Sequence, residues 1–292
     1  MRKNYQLRKI ARAQADLGES PVWNERQGLL YFIDISAGRI NALTSQGHLV
    51  TVHQSTGRIG AMALTDKGNL IFTEDASAAI FDVDTSVVRQ RTIPVRHATS
   101  YRFNDGACDP QGRFVTGLMD ESPSHKTGAL YRFDRELNAK IIRGGMALPN
   151  GLTWSEDGRL LFFVDSVARS IFRAEYLADD ALGRVSLFAQ TPAELGRPDG
   201  IALDRAEGLW VCQFNGSCLL RYDSVGRLSS RIDLPVPRPT SCCFGGEGLE
   251  TLYITTARFA MTAAELANYP DAGDLYAISP EISGIPRHLF KE

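Results

Sequence analysis

A sequence frame that recurs six times constrains the fold of this chain more than any other feature. In the two clearest copies, "NDGACDPQGRFVTGLM" and "NGLTWSEDGRLLFFVDS", an Asn leads a polar residue by five positions and a Gly by eight. Related copies begin at "ESPVW" and "DGIALD", and fainter ones at "GAMALT" and "TSCCF". The leading residues follow one another at steps of 41 to 49 residues: Glu19, Gly60, Asn104, Asn150, Asp199 and Thr240. The chain is therefore built from six similar units.

Each unit has the pattern of a small antiparallel sheet. A short apolar strand is followed by a polar turn with Gly, a β-branched and aromatic strand, and a third strand such as "RINAL" or "ALYRFD". Units of three or four strands at a period of about 40 to 50 residues are typical of propeller blades. We therefore predict an all-β, six-bladed β-propeller, whereas nothing groups the strands into the two sheets of a sandwich.

The ends of such a ring must be joined. The stretch "NYQLRKIAR" precedes the first copy and is predicted to add a strand to the sixth blade, which leaves no unprotected sheet edge. No linker or shift in composition divides the chain, so residues 1–292 are expected to form a single propeller domain.

Charge and composition exclude several classes of partner. The net charge is -2 and Lys and Arg are scattered, so nucleic acid is not an expected partner. The N-terminal stretch lacks an apolar signal-peptide core, and no segment approaches the roughly 20 apolar residues of a membrane span. A cytoplasmic protein without a membrane partner is expected. The five cysteines are an odd number without paired C-x-x-C spacing, which favours reduced, buried thiols.

The innermost strand of each propeller blade lines the central channel, so the six leading residues are expected to form a ring at one end of it. A turn-only explanation of Asn150-Gly151 does not account for Glu19 at the equivalent position of its own copy. Two carboxylates and two amides converging in a channel repel or go unsatisfied without a cation. Calcium, magnesium and manganese prefer such oxygen ligands. A divalent metal site is therefore favoured over a hydrated polar plug.

Five separated motifs also resemble a known family. "LGESPVW", "RFNDGACDPQGRF", "PNGLTWS", "RPDGIALD" and "RPTSCCFGG" are similar, in this order, to motifs of the senescence marker protein 30 (regucalcin), gluconolactonase and luciferin-regenerating enzyme family. The resemblance implies one divalent ion (calcium, zinc, manganese or magnesium) in the channel and hydrolysis of sugar-acid lactones. It implies Glu19, Asn150 and Asp199 as metal ligands, with Asp199 also the catalytic base. Arg102 and Asn104 would hold the hydroxyls of the substrate.

The chain departs from the family pattern after the second strand of the third unit. The family often places an acidic, substrate-contacting residue soon after a "G-T-M" triplet, whereas Leu118 replaces the Thr here and Ser122 occupies the expected acidic position. Glu121 is taken as the substrate-contacting acid, with Asp120 as the alternative.

A longer connection surrounds this departure. The segment from Leu118 to Gly128 is longer than the matching turns of the first two units, and it carries His125 as well as the two acids. Long connections in compact domains are often functional. The segment is therefore expected to cover the channel mouth and to select among lactones.

The expected activity is that of a metal-dependent hydrolase that opens a sugar-acid lactone. A divalent ion polarises the carbonyl and acidifies water, and Asp199 accepts the proton, although coordination weakens it as a base. The chain has neither a "G-x-S-x-G" elbow nor an "H-E-x-x-H" pair. The alternatives are a phosphotriesterase-like hydrolase and a non-catalytic calcium-binding propeller. The sequence leaves open which sugar, which metal and which oligomeric state.

Overall fold

Six antiparallel sheets surround a central channel. The computed structural model describes residues 5–93, 95–96, 99–122, 126–177 and 182–292. Within these ranges, 24 strands form six four-stranded sheets that are arranged as the blades of a β-propeller. The predicted six-bladed propeller is confirmed.

The blades follow the order of the chain. The first strand is β1 (Arg8–Ala11). Blade 1 contains β2 (Gly18–Asn24), β3 (Leu29–Asp34), β4 (Arg39–Leu43) and β5 (Leu49–Gln54). Blade 2 contains β6 (Ile59–Leu64), β7 (Leu70–Glu74), β8 (Ser77–Asp82) and β9 (Val87–Arg91). Blade 3 contains β10 (Tyr101–Cys108), β11 (Phe114–Asp120), β12 (Gly128–Phe133) and β13 (Ala139–Met146).

The second half of the chain repeats this arrangement. Blade 4 contains β14 (Pro149–Trp154), β15 (Leu160–Asp165), β16 (Ser170–Tyr176) and β17 (Leu182–Gln190). Blade 5 contains β18 (Arg197–Leu203), β19 (Leu209–Phe214), β20 (Cys218–Tyr222) and β21 (Leu228–Asp233). Blade 6 contains β22 (Pro239–Gly245), β23 (Thr251–Thr256), β24 (Leu275–Ile278) and β1. Helix α1 (Ala263–Asn268) and 3₁₀ turns at Ala193–Leu195 and Glu247–Leu249 lie between strands.

The N-terminal strand closes the ring as predicted. Strand β1 pairs antiparallel with β24, with Arg8 opposite Ala277 and Lys9 opposite Tyr276, so both ends of the chain build blade 6. Sealing the first blade to the last in this way removes the weak seam that a ring of separate sheets otherwise has.

Apolar side chains fill the spaces between neighbouring blades. In one such cluster, Ala61 and Ile71 of blade 2 pack with Phe103 and Phe133 of blade 3. The rings of Phe103 and Phe133 meet edge to face, with centroids 5.5 Å apart. All five cysteines are buried and unpaired, as the sequence predicted. In the described part of the chain, no helix is both long and apolar enough to cross a membrane.

Every innermost strand is irregular at the same place. The pairing of each innermost strand with the next strand of its blade shifts register at or beside the leading residue of the repeat. Such bulges bend a strand and re-aim its side chains. The residues just after the leading ones are small in five blades, and that of blade 3 is acidic: Ser20, Ala61, Asp105, Gly151, Gly200 and Ser241. Close approach explains the glycines, because a Cβ on Gly151 would lie 2.5 Å from Asp199 O.

The C-terminal segment crosses the other end of the channel. It forms bridges to three blades, pairing Gly284 with Asp204, His288 with Cys108, and Phe290 with Thr65. A cavity of about 270 Å³ lies between this segment and blades 1, 2, 3 and 6. No residue of the leading ring lines that cavity, so the two ends of the channel are distinct.

Candidate functional site

The innermost strands bring the leading residues of neighbouring blades into contact. The amide nitrogen of Asn150 on β14 donates hydrogen bonds to Asp199 Oδ1 on β18 and, at 3.1 Å, to Ser166 Oγ. On the far side, Thr240 Oγ1 donates to Gly18 O at 2.5 Å, which joins blade 6 to blade 1 beside Glu19. The ring expected from the repeat frame is therefore formed by side chains that touch across blades.

Three buried carboxylates lie in this ring and repel one another. Glu19, Asp105 and Asp199 are 4%, 6% and 6% exposed, and none has a salt-bridge partner among the described residues. Burial, then the charges of Asp199 and Asp105, raise the pKa of Glu19 well above its ordinary value. Burial and the charge of Asp105 likewise raise the pKa of Asp199, and burial raises the pKa of Asp105. The charge of Arg102 opposes this rise in pKa for Glu19 and Asp199, and that of Arg287 opposes it for Asp105, but neither cation forms a salt bridge with these carboxylates.

Sequence reasoning did not identify Asp105. Strict alternation along β10 would turn it away from the face of Asn104, but the bulge between Phe103 and Gly106 re-aims it. Its backbone is held by Thr116 Oγ1, which donates to Asp105 O at 2.9 Å. The available signal was its repeat position, where the other five copies have only Ser, Ala or Gly.

Arg102 and Asn104, expected to hold the substrate, lie side by side. Arg102 Nη1 donates to Asn104 Oδ1 at 2.8 Å, and Arg102 Nε donates to Glu121 Oε1 at 3.1 Å. The amide nitrogen of Asn104 donates to Pro149 O at 3.2 Å, on blade 4. Glu121 also pairs with Arg58 of blade 2. All three residues predicted to contact the substrate therefore belong to one hydrogen-bonded group beside the ring.

The connection predicted from Leu118 to Gly128 begins later than expected. Strand β11 continues to Asp120, because its last residues pair with the start of β10, so Leu118 to Asp120 belong to the sheet. The connecting segment starts at Glu121, whose backbone N–H donates to Ser100 O at 2.8 Å. Glu121 therefore lies beside the start of β10, at the ring end. His125 lies outside the described residues.

The predicted ligands fit a hard divalent cation after one rearrangement. Among the described residues, no group of three or more His, Cys, Asp or Glu forms a metal cluster, but Glu19, Asn150 and Asp199 combine two carboxylates with an amide. Asn150 Nδ2 faces Asp199, and its Oδ1 accepts from Gly151 N at 3.1 Å. A half-turn of this amide presents Oδ1 beside two carboxylates that have no counter-charge. Such an oxygen-only donor set suits calcium, magnesium or manganese.

The chain matches a known protein family over most of its length. A family model described as the SMP-30/gluconolactonase/LRE-like region matches residues 17–258. The chain belongs to this family. The match includes all six leading residues and ends before the C-terminal segment that crosses the opposite end of the channel.

Two of the curated relatives described here are lactonases by name, and others are named regucalcin. The chain is 33% identical to 6-deoxy-6-sulfogluconolactonase of Pseudomonas putida, covering 98% of this chain and 99% of that protein. It is 32% identical to L-arabinolactonase of Azospirillum brasilense, covering 96% and 94%. The solved structure of a calcium-binding protein, regucalcin, from Agrobacterium tumefaciens has a TM-score of 0.91 at 21% identity, covering 99% and 98%, and shows the shared fold.

Proposed function

We propose that this protein is a metal-dependent lactonase that opens the ring of a sugar-acid lactone by hydrolysis. One observation carries the proposal: three buried carboxylates without a salt-bridge partner among the described residues lie at the same channel end as the Arg102–Asn104 pair. In a channel without a ligand, buried carboxylates without ion-pair partners would only destabilise the folded protein. The relatives named L-arabinolactonase and 6-deoxy-6-sulfogluconolactonase support the same class of substrate.

The metal is proposed to be one divalent ion held by Glu19, Asn150 and Asp199, and its identity among calcium, zinc, manganese and magnesium is open. When bound, the ion supplies Lewis-acid polarisation of the lactone carbonyl and a lowered pKa of water. Asp105 adds a third negative charge beside these ligands. That charge strengthens the attraction of the ring for a cation without requiring Asp105 to be a ligand.

Asp199 is proposed to act as the base. It is buried, and its Oδ1 accepts a hydrogen bond from Asn150 of the neighbouring blade. Without metal, burial and the charge of Asp105 raise its pKa, and this rise opposes the loss of basicity that coordination to the ion would cause. The proton moves from water to the Asp199 carboxylate as the water oxygen bonds to the carbonyl carbon. The bond between the carbonyl carbon and the ring oxygen then breaks, and the ring oxygen takes that proton back from Asp199 and leaves as a hydroxyl.

Arg102, Asn104 and Glu121 are proposed to orient the hydroxyls of the sugar. Arg102 offers N–H donors and Glu121 offers carboxylate acceptors. Asn104 has both kinds of group in its amide, and its Oδ1 lies 2.8 Å from Arg102 Nη1. Neighbouring hydroxyls of a sugar need such paired donors and acceptors. Because these contacts are made before and during the reaction, Asn104→Ala should mainly raise KM.

The activity is tested on a panel of aldonolactones. Protein freed of metal with a chelator is assayed for acid release after addition of calcium, zinc, manganese or magnesium, with a phosphotriester as a parallel substrate. Acid release that depends on the added metal supports the proposal. Turnover of the phosphotriester alone would favour the phosphotriesterase alternative. Metal binding without turnover of either substrate would identify a non-catalytic calcium-binding propeller.

A further inference from the structure

An arginine occurs two residues before the leading residue in four of the six blades. Leu17 and Leu148 take this position in blades 1 and 4, and the other blades have arginine: Arg58, Arg102, Arg197 and Arg238. Residues two apart on a strand point to the same face, about 7 Å apart along it. The hydrogen bond between Arg102 and Asn104 is an instance of this arrangement. Arg102 and Arg197 lie on β10 and β18, whereas Arg58 and Arg238 immediately precede β6 and β22. The four arginines therefore occupy equivalent positions at the entry to the innermost strands, on the mouth side of the ring.

The arginines of blades 2 and 3 are neutralised. Arg58 Nε lies 2.8 Å from Asp75 Oδ1, and Arg58 also pairs with Glu121. Glu121 in turn pairs with Arg102 Nε at 3.1 Å. The two arginines and the two carboxylates neutralise each other, so this side of the mouth has no net charge with which to attract a ligand.

Arg238 of blade 6 differs in having no carboxylate partner. It is 8% exposed, its Nε donates to Asn215 Oδ1 at 2.7 Å, and Nη1 donates to Phe259 O. No described carboxylate lies within salt-bridge distance of it. Glu265 Oε2 accepts a hydrogen bond from Thr262 N at 2.7 Å in the capping box of helix α1. Hydrogen bonds from Thr262 lower the pKa of Glu265, and the charge of Arg238 adds to this effect without forming an ion pair. Arg238 is thus a buried cation whose hydrogen-bond acceptors are neutral.

Arg197 of blade 5 and Arg238 are both neighbours of Phe214. Arg197 pairs with Phe214 in the sheet, and the guanidinium of Arg238 lies 5.5 Å from the centre of the Phe214 ring. Arg197 is exposed and makes no side-chain hydrogen bond or ion pair with any described residue. Residues directly opposite each other on antiparallel strands share a face of the sheet, so Arg197 and the Phe214 ring that carries Arg238 lie on one side of blade 5.

We propose that the natural substrate is a lactone with an anionic group, a carboxylate, sulfonate or phosphate, and that Arg197 and Arg238 bind this group. The proposal rests on the lactonase function above and adds the chemical class of the substrate. A lactone whose carbonyl lies at the ring of carboxylates would direct the far end of the molecule toward these arginine positions, about 7 Å nearer the mouth. Guanidinium groups form paired, charge-assisted hydrogen bonds with such oxyanions.

The test compares gluconolactone with analogues that carry a carboxylate, sulfonate or phosphate in place of the exocyclic hydroxyl. Wild-type protein should have at least about a 10-fold higher kcat/KM for one of the anionic lactones. Arg197→Ala and Arg238→Ala should each lower that value about 10- to 100-fold, as expected for one charge-assisted contact, and change kcat/KM for gluconolactone less than about 3-fold. Arg227→Ala is the matched control, because Arg227 is an 80%-exposed arginine of the same blade as Arg197.

The outcomes separate the two proposals. Hydrolysis of gluconolactone with no preference for any anionic lactone would overturn the anion site and leave the lactonase function standing. An equal loss on neutral and anionic lactones in Arg197→Ala would also overturn it. If no lactone is hydrolysed, the lactonase function fails, and the anion site is then tested by calorimetric binding of the ring-opened acids. Weaker binding of the anionic acids by Arg197→Ala than by wild type would support the anion site. Equal binding by the two proteins would refute it. Because Arg197 is exposed, its variant should fold even if Arg238→Ala does not.

Discussion

Buried carboxylates at the two ends of the same strands have opposite surroundings. Strand β10 carries Asp105 at the ring end, and Asp109 follows the strand at the other end of the channel. In the same way, β18 carries Asp199 at the ring end and is followed by Asp204. Asp109 accepts hydrogen bonds from Arg113 Nε and the hydroxyl of Tyr176, both at 2.6 Å.

Asp204 is saturated in the same manner. It accepts from Trp210 Nε1 at 2.8 Å, from Arg221 Nε at 2.7 Å and from Gly208 N at 2.8 Å. The ring carboxylates are also buried, but they lie beside one another and have no salt bridge to a cation among the described residues. Burial by itself therefore does not distinguish structural acids from functional ones. The difference lies in whether the protein supplies the counter-charge or leaves it to a ligand.

The largest effect is expected at Asp199. Asp199→Asn removes the proposed base and one metal ligand while retaining shape, so kcat/KM on the best lactone should fall by about 10³-fold or more. Without metal, the melting temperature should not fall, because the substitution removes a repelled charge. Steady-state kinetics and thermal unfolding measure both. Near-normal kcat with metal still bound would refute the role of Asp199 as base.

The mirror-image result is expected at Asp204. Asp204→Asn leaves the Arg221 cation with a neutral partner in a buried position, and breaking such a pair costs about 3 to 5 kcal/mol in the free energy of unfolding. Activity per folded molecule should remain close to wild type, because Asp204 is at the opposite end of the channel. Urea unfolding combined with the lactone assay measures this. A stable but inactive variant would contradict the division between the two ends.

A divalent ion should stabilise the fold through the ring alone. An ion at 100 times its dissociation constant adds about 2.7 kcal/mol to the free energy of unfolding. Glu19→Gln should lose most of this increment, whereas Asn104→Ala, a neighbour that is not a proposed ligand, should keep it. Unfolding with and without added metal gives the increment for each variant. Equal stabilisation of both variants would move the metal site away from Glu19.

The sequence predicted the fold well because each blade is specified by the strand and turn pattern of its own stretch of chain. Alternating apolar residues and Gly turns set each strand, and the repeat frame placed Glu19, Asn150 and Asp199 at equivalent positions. Asp105 was missed because its orientation depends on a bulge, which interrupts the alternation from which faces are inferred. The later start of the blade 3 connection was missed for a similar reason, since pairing with β10 extends β11.

The sequence also could not predict which of the arginines near the ring are paired with carboxylates. The arginine positions two residues before the ring are visible in the sequence, yet only the structure distinguishes Arg102, which is paired with Glu121, from Arg238, which has neutral partners. Likewise, no periodicity signals that the C-terminal segment crosses the channel, because it joins three blades through single bridges. Pairing between residues distant in the chain decides both features.

The smallest expected effect is a change in how stability depends on pH. In the metal-free protein, the pKa values of Glu19, Asp105 and Asp199 are raised, so the folded state keeps protons that the unfolded chain releases above about pH 4. The stability from these groups is fully present below that pH and is lost as pH rises through the raised values. In a chelator, the melting temperature should therefore fall with rising pH, and less steeply in Asp199→Asn. Glu136→Gln, which changes a 61%-exposed acid, should leave the wild-type slope unchanged, and identical slopes in wild type and Asp199→Asn would show that the ring carboxylates do not repel one another.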